Sequence, residues 1–155
     1  MEKKVVAVLP LEDYKLVVWF AAGVSKVYDA RRLVSQSETF APLSRPAVFK
    51  RVRPMPEGAG ITWGSGMNVL VNDLYAHGKT IDLVESEKHR LLDDLAQTRR
   101  ESDFSQMRLG EAAGIRQPVI SRIEGGDIAP QINTLFKLLT PMGKTLAIVD
   151  LDEVE

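Results

Sequence analysis

The sequence predicts an α+β protein, with a small antiparallel β-rich domain followed by an all-helical domain that ends in a strand. Residues 1–78 hold five of the eight prolines and short runs of β-branched and aromatic residues, which are typical of strands and turns. Residues 79–155 hold longer runs rich in Leu, Ala, Glu and Arg, which favour helices. We therefore predict two domains, 1–78 and 79–155, joined near Gly78.

The first half is predicted to consist of short strands because each β-rich run is bounded by Pro, Gly or Asp. Trp19 and Trp63 lie inside such runs, so we expect them in the core rather than in a ligand site. In chain order, the predicted elements are a hairpin of Lys4–Leu9 and Lys15–Phe20, a strand Val24–Tyr28, a short helix Ala30–Ser35 capped by Asp29, an element ending at Phe49, and β runs at Ile61–Trp63 and Asn68–Val71.

The second half is predicted to be helical because its apolar residues recur at helical spacing. Ser105 is a favourable N-cap, and Gly114 suits a helix end. In order, we expect helices over Glu85–Arg100, from Ser105 to Ala113, over Gln117–Glu124 and from Pro130 through Leu139, followed by a strand within Lys144–Leu151.

Composition excludes several classes of protein. The chain has 20 basic and 21 acidic residues, two histidines and no cysteine, which argues against polycationic proteins, disulfide frameworks and thiolate metal sites. The longest apolar run, Leu16–Val24, is nine residues, about half of what a bilayer crossing needs. We find no nucleophile–base pair, carboxylate dyad or metal cluster. We therefore expect a cytoplasmic protein that is not an enzyme and has no cofactor, metal or membrane partner.

One motif carries the functional prediction. The stretch that starts at Gln106 reads QMRLGEAAGIRQPVISRI, with a turn residue, Gly114, between two apolar sets. This spacing is what two helices crossing at a steep angle require. Gly110 occupies the crossing position, where Ala is more usual, and we expect glycine there to cost about 1 kcal/mol of helix propensity. The apolar residues of the motif are Leu109, Ile115, Ile120 and Ile123.

The stretch Leu91–Leu139 resembles the helix-turn-helix of phage repressors and Cro, also called xenobiotic-response-element regulators. The likeness rests on Ser105-Gln106, Ala113-Gly114-Ile115 and the run Ile120–Gly126, with Pro130 and Leu135 matching the fourth helix. The ending Met142–Ile148 is similar to antitoxin-type members, in which a strand follows the last helix.

The resemblance implies a transcriptional regulator that binds double-stranded DNA and inserts helix 117–124 into the major groove. Arg can pair with guanine and Gln with adenine on that face, and Gln106 would meet a phosphate at a helix N-terminus. A dimer reading two half-sites is the simplest arrangement, and Thr145–Val149 is the expected dimer strand. The implied DNA-binding residues are Gln106, Arg108, Arg116, Gln117, Pro118, Ser121 and Arg122, with Arg99 and Arg100 as further phosphate contacts.

The first half resembles, through hydrophobic residues such as Phe20, Tyr28 and Trp63, a bacterial family of unknown function whose members stand alone or precede a helix-turn-helix. This likeness implies a fold and no activity. Two basic clusters, Arg31-Arg32 and Lys50–Arg53, are typical of solvated surfaces and permit auxiliary phosphate contacts.

Two alternatives stay open. Residues 79–155 carry a net charge of −4, although residues 104–123 carry +2. The rival hypothesis is therefore a protein-interaction adaptor that binds no DNA and uses the helix-turn-helix scaffold or the edge of the N-terminal sheet. The antitoxin-like ending would add a toxin or another protein as partner. Changing Arg116, Gln117 or Arg122 to Ala should abolish function in a DNA reader and have little effect in an adaptor.

Overall fold

The structure is a computed structural model that describes residues 3–151. The chain divides into two compact units, the first ending at Asp82 and the second beginning at Leu83. This division lies four residues beyond the expected boundary at 78/79, because residues 79–81 form a strand that pairs with Val24–Asp29 of the first unit. The fold class predicted from the sequence, β-rich and antiparallel first and helical second, is confirmed.

The first unit is built on an antiparallel sheet of four strands in the order β1-β2-β3-β7. A tight turn joins β1 to β2, and the register pairs Leu16 on β2 with Tyr28 on β3. A second antiparallel sheet contains three short strands, β4, β5 and β6. The strands are β1 Val5–Pro10, β2 Lys15–Phe20, β3 Val24–Asp29, β4 Arg53–Pro54, β5 Gly60–Thr62, β6 Asn68–Leu70 and β7 Lys79–Ile81.

Three short helices, α1 Arg31–Gln36, α2 Pro46–Phe49 and α3 Val71–His77, complete the first unit. Its core contains alternate residues of β2 together with side chains from the helices and from the second sheet. Trp63 is buried, as expected, and its Nε1 donates to the carbonyl of Phe49 at 2.8 Å. The largest fully buried side chains of this core are Leu16, Val18, Phe20, Leu43, Ile61 and Leu74.

A buried phenol fastens α3 to the first sheet. The Tyr28 hydroxyl on β3 donates to Oδ2 of Asp73 at 2.9 Å. Burial, with the hydrogen bond to Asp73 and its negative charge, raises the pKa of the Tyr28 phenol far above its ordinary value. The phenol therefore stays neutral and remains a hydrogen-bond donor throughout the physiological range.

The second unit is helical. It consists of α4 Leu83–Glu101, α5 Gln106–Ala113, α6 Gln117–Glu124 and α7 Ile132–Leu139. The apolar stripes of the four helices meet in one core, as their helical spacing requires. The fully or nearly fully buried members of that core are Leu92, Leu95, Leu109, Ile120, Ile123, Leu135, Leu138 and Leu139.

The strand expected at the end of the chain is not formed. Residues 144–150 are neither helix nor strand, and residues 152–155 lie outside the described residues. Leu146 packs against the helical core, whereas Ile148 is fully exposed. The β-branched residues of segment 144–150 favour a strand, but a strand also needs a second strand with which to form hydrogen bonds. The described part of the second unit contains no strand with which it could pair.

Candidate nucleic-acid interface

Local signals in the sequence define both ends of α5. The Ser105 hydroxyl oxygen accepts the backbone N–H of Arg108 at 3.1 Å, so it satisfies one of the free amides at the helix start. At the other end, Gly114 adopts a left-handed conformation with φ of 69°, which glycine adopts without a steric penalty. The chain thus turns within three residues and starts α6 at Gln117.

The crossing of α5 and α6 depends on Gly110. A Cβ atom at this position would lie 2.4 Å from the carbonyl oxygen of Ile115, which is far inside van der Waals contact. The backbone N–H of Ile115 also donates to the Gly110 carbonyl at 2.9 Å. The sequence suggests that Gly110 only lowers helix propensity, but the close approach of the turn leaves no room for alanine. Glycine is therefore required by the geometry of this crossing.

One side of α6 faces the core and the other faces solvent. Ile120 and Ile123 are buried, with 0% and 1% of their surface exposed. Pro118 lies in the first turn, where a missing amide hydrogen breaks no helical hydrogen bond. The exposed residues at the start and on the outer side of this helix are Arg116, Pro118, Ser121 and Arg122.

Gln117 and Gln106 are joined at the same surface. Nε2 of Gln117 donates to Oε1 of Gln106 at 2.8 Å, and Nε2 of Gln106 donates to Oε2 of Glu124 at 2.9 Å. Gln106 and Gln117 are half-buried, and the side chain of Glu124 is more deeply buried. The start of α5 is thereby connected to both ends of α6 through polar side chains, which fixes the orientation of the two amide groups.

The carboxylate of Glu124 anchors this network. It also accepts two hydrogen bonds from Arg99 of α4. Burial alone would raise the pKa of Glu124, but the hydrogen bonds from Arg99 and Gln106 and the charges of Arg99 and Arg100 outweigh it and hold the pKa below its usual range. Glu124 is therefore ionised at neutral pH, and its charge is matched by Arg99.

The three arginines named as phosphate contacts lie in different environments. Arg99 is not available, because its guanidinium is held by Glu124 and by the carbonyl of Phe104. Arg108 is exposed, with its guanidinium carbon 5.4 Å from the Phe104 ring centre and Nη1 donating to the Asp103 carbonyl at 3.3 Å. Arg100 is exposed. The expectation for Arg99 is therefore corrected, while Arg100 and Arg108 are accessible to a ligand.

Sequence reasoning missed the role of Glu124, although one signal pointed to it. An acidic residue in the last turn of a helix opposes the helix dipole, so its presence there suggests a cationic partner.

Among the described residues, no cluster of three or more His, Asp or Glu could hold a metal ion. No described helix is long and apolar enough to cross a membrane.

The two helices, the left-handed turn between them and the buried crossing define the second unit as a helix-turn-helix domain. Residues 95–149 match the family described as Helix-turn-helix, and residues 5–80 match the family described as Protein of unknown function (DUF2442). The chain is therefore similar to DUF2442 proteins in its first unit and to helix-turn-helix proteins in its second. Both resemblances predicted from the sequence are confirmed.

Three known proteins are similar to this chain over part of its length. A Haemophilus influenzae protein named "Uncharacterized HTH-type transcriptional regulator" is 48% identical over 61 residues, which are 39% of this chain and 62% of that protein. The crystal structure of NE0471 from Nitrosomonas europaea, described as a candidate DNA-binding protein, has 20% identity and a TM-score of 0.46, covering 89% of this chain and 85% of that one. A toxin–antitoxin module from Streptococcus pneumoniae has 40% identity and a TM-score of 0.38, covering 44% and 76%.

Proposed function

We propose that this protein is a sequence-specific DNA-binding transcriptional regulator that reads the major groove with α6. The observation that carries the proposal is the division of α6 into two sides. Ile120 and Ile123 are buried in the crossing, while Arg116, Ser121 and Arg122 are exposed. A helix held firmly on one side, with unpaired hydrogen-bonding groups on the other, has the form needed to contact base edges.

The hydrogen bond between the two glutamines supports a specific role for Gln117. A side-chain amide has two N–H donors and one carbonyl acceptor. One donor of Gln117 is used by Gln106, so one donor and the acceptor remain, and these are the groups that pair with N7 and N6 of adenine. Gln106 is thus proposed to orient Gln117 and to meet a phosphate near the start of α5.

The remaining residues of the site complete this assignment. Arg116 and Arg122 are proposed to donate to guanine or to phosphate, and Ser121 to a base edge. Pro118 offers only apolar atoms, which suit contact with a thymine methyl group. Arg108 is proposed to contact a phosphate, which fixes position without selecting sequence.

We further propose that the second unit acts as a dimer, with a second copy covering its exposed apolar surface. Of the six exposed large apolar side chains in the described part of this unit, four lie in its last twenty residues, namely Ile132, Phe136, Ile148 and Val149. An extended segment pairs readily with its own copy in an isologous contact. Such a dimer would present two copies of α6 to a palindromic site.

The test of DNA reading is selection of binding sites from random duplexes with the full-length chain. We expect one sequence family to be enriched, and binding to it to be lost in Arg116→Ala and Arg122→Ala. Arg90→Ala, which removes a cation from α4, is the matched control and should bind as the wild type does. No enrichment, or enrichment that survives the α6 changes, would favour the adaptor hypothesis.

The dimer and its partner need a separate experiment. Light scattering at micromolar concentration should give twice the chain mass, and deletion of residues 144–155 should give a monomer. A monomeric wild type, or a deletion variant that stays dimeric, would contradict the proposed role of this segment in dimerisation.

Co-purification of a small second protein with the tagged chain would support an antitoxin-like role, and its absence would count against that role.

A further inference from the structure

The first unit carries basic side chains that the proposed reading site does not use. The cationic segment, residues 45–53, contains Arg45, Lys50, Arg51 and Arg53, and no acidic residue lies between residues 39 and 56. All four basic side chains are exposed. Within residues 3–151, none of the four takes part in an ion pair or a side-chain hydrogen bond.

Some arginines elsewhere in the chain are neutralised by nearby carboxylates. Arg31 pairs with Asp29, and Arg90 pairs with Glu87 and with Asp94. Surfaces of soluble proteins usually intersperse charges of both signs. The cationic segment departs from that pattern, because residues 39–56 contain no acidic residue. We refer to its four exposed basic side chains as the positive patch of the first unit.

The backbone under this patch is held by the core. Phe49, in the middle of the segment, is 4% exposed and its ring packs edge-on against Tyr14. Its carbonyl accepts the indole N–H of Trp63 at 2.8 Å. Val48 and Val52 also pack against the core. The basic side chains therefore project from an ordered element, which lowers the entropy lost when a ligand binds them.

The chemistry of the patch favours nucleic acid over protein or membrane. None of the exposed large apolar side chains of the described chain lies in residues 39–56, whereas protein interfaces and membrane-binding segments rely on such anchors. Three of the four cations are arginines, whose planar fork matches phosphate. Protein–DNA interfaces are polar and strongly positive.

The second unit has no net positive charge of its own with which to neutralise DNA phosphates. Residues 83–151 contain nine basic and ten acidic residues, so this part of the helix-turn-helix unit has no net positive charge. Phosphate neutralisation supplies much of the affinity of DNA-binding proteins. A cationic surface on a tethered unit adds to that affinity because its second contact is intramolecular.

We infer that the cationic segment binds the phosphate backbone of the same DNA that α6 contacts and adds affinity that does not depend on sequence. This inference rests on the proposed function and assigns a role to the first unit. The contact is electrostatic, so its signature is the dependence of binding on salt.

The test compares the wild type with Lys50→Gln/Arg51→Gln/Arg53→Gln in the full chain. Each protein is titrated with the selected duplex and with a scrambled duplex of equal length at several salt concentrations. Loss of three phosphate contacts should reduce the slope of log K against log salt by about 2–3. Affinity for both duplexes should fall by the same factor, at least about tenfold at 0.1 M salt.

Two controls separate a local contact from net charge and folding. Lys3→Gln/Lys15→Gln/Lys79→Gln removes the same charge from the same unit and should leave the slope near that of the wild type. Arg51→Lys/Arg53→Lys retains the charge and should keep the slope. If the triple variant loses its wild-type circular dichroism, Lys50→Gln alone should lower the slope by about 1.

The outcomes separate this inference from the proposed function. Equal slopes for the segment variant and the charge-matched control would overturn the role of the cationic segment, even if the selected duplex is still preferred. Binding without sequence preference that is weakened in the segment variant would support the segment and remove the reading role of α6. A wild type that binds neither duplex would overturn both.

Discussion

Arg99 in the last turn of α4 and Glu124 at the end of α6 form a two-point ion pair, with N–O distances of 2.6 and 3.1 Å. The side chains are only 11% and 9% exposed. A third bond runs from Arg99 Nη1 to the Phe104 carbonyl at 2.8 Å. The pair therefore connects α4, α6 and the loop that contains Phe104. Glu124 also accepts a hydrogen bond from Gln106, which in turn accepts one from Gln117, so the ion pair helps to orient both amides.

Arg99→Ala should destabilise the second unit by about 3 kcal/mol, because removal of one partner leaves a buried charge uncompensated. Both tryptophans, Trp19 and Trp63, belong to the first unit. Urea unfolding should therefore shift the helical circular-dichroism transition to lower urea and leave the tryptophan-fluorescence transition in place.

The control for this change is Arg90→Ala, which breaks two exposed ion pairs on α4, with Glu87 and with Asp94. Exposed pairs contribute about 1 kcal/mol or less, so its circular-dichroism transition should move little. Equal shifts for the two variants would contradict the structural role assigned to the buried pair.

The stability of the second unit should depend on pH through Glu124. Its pKa is lower in the folded chain than the usual glutamate value of about 4.3, so the unfolded state binds more protons. This contribution is fully present above pH 4.3 or so and is lost as pH falls through the folded pKa. Urea unfolding between pH 3 and 6 should show the loss in wild type and a reduced loss in Glu124→Gln. The exposed Glu111→Gln variant should behave as wild type, and an unchanged pH profile in Glu124→Gln would count against the assignment.

Gly110→Ala should destabilise the second unit by about 1–3 kcal/mol, although alanine is the better helix former. The added methyl group would lie 2.4 Å from the Ile115 carbonyl oxygen, so the turn must move. The reverse change at an exposed position of the same helix, Ala112→Gly, should cost about 1 kcal/mol through propensity alone. Thermal unfolding of both variants checks the prediction. A Gly110→Ala protein more stable than wild type would show that the turn between α5 and α6 can move to accommodate the methyl group at little cost.

Trp63→Phe should destabilise the first unit by about 1–3 kcal/mol, because the buried Phe49 carbonyl loses its hydrogen-bond donor. Trp19 remains as the fluorescent reporter of this unit. Trp19→Phe is the comparison, since Trp19 is half-buried and donates no side-chain hydrogen bond in the described part of the chain. Equal unfolding midpoints of the two variants in denaturant would show that the hydrogen bond from Trp63 to the Phe49 carbonyl contributes little to stability.

Features that depend on neighbouring residues could be predicted from the sequence. The Ser105 cap, the Gly114 turn and the β1–β2 hairpin each follow from the conformational preferences of a few consecutive residues. The burial of Ile120 and Ile123 follows from helical periodicity.

Features that depend on distant partners could not be predicted in the same way. Arg99 and Glu124 are 25 residues apart, and Arg99 looked like a phosphate ligand because charge alone does not show what it faces. Thr145–Val149 has strand propensity, but a strand requires a partner that one copy of the described chain does not supply. Residues 79–81 look like a linker until their pairing with β3 is known.

Binding measurements on wild type and Gln117→Ala test whether α6 reads base edges. Each protein is titrated with the selected duplex and with duplexes that carry one base-pair change. In wild type, each changed base pair that is read should cost about 1–3 kcal/mol. We expect this penalty to disappear in Gln117→Ala at one A·T position of the half-site and to persist at the others. The same penalties at every position in both proteins would contradict this expectation.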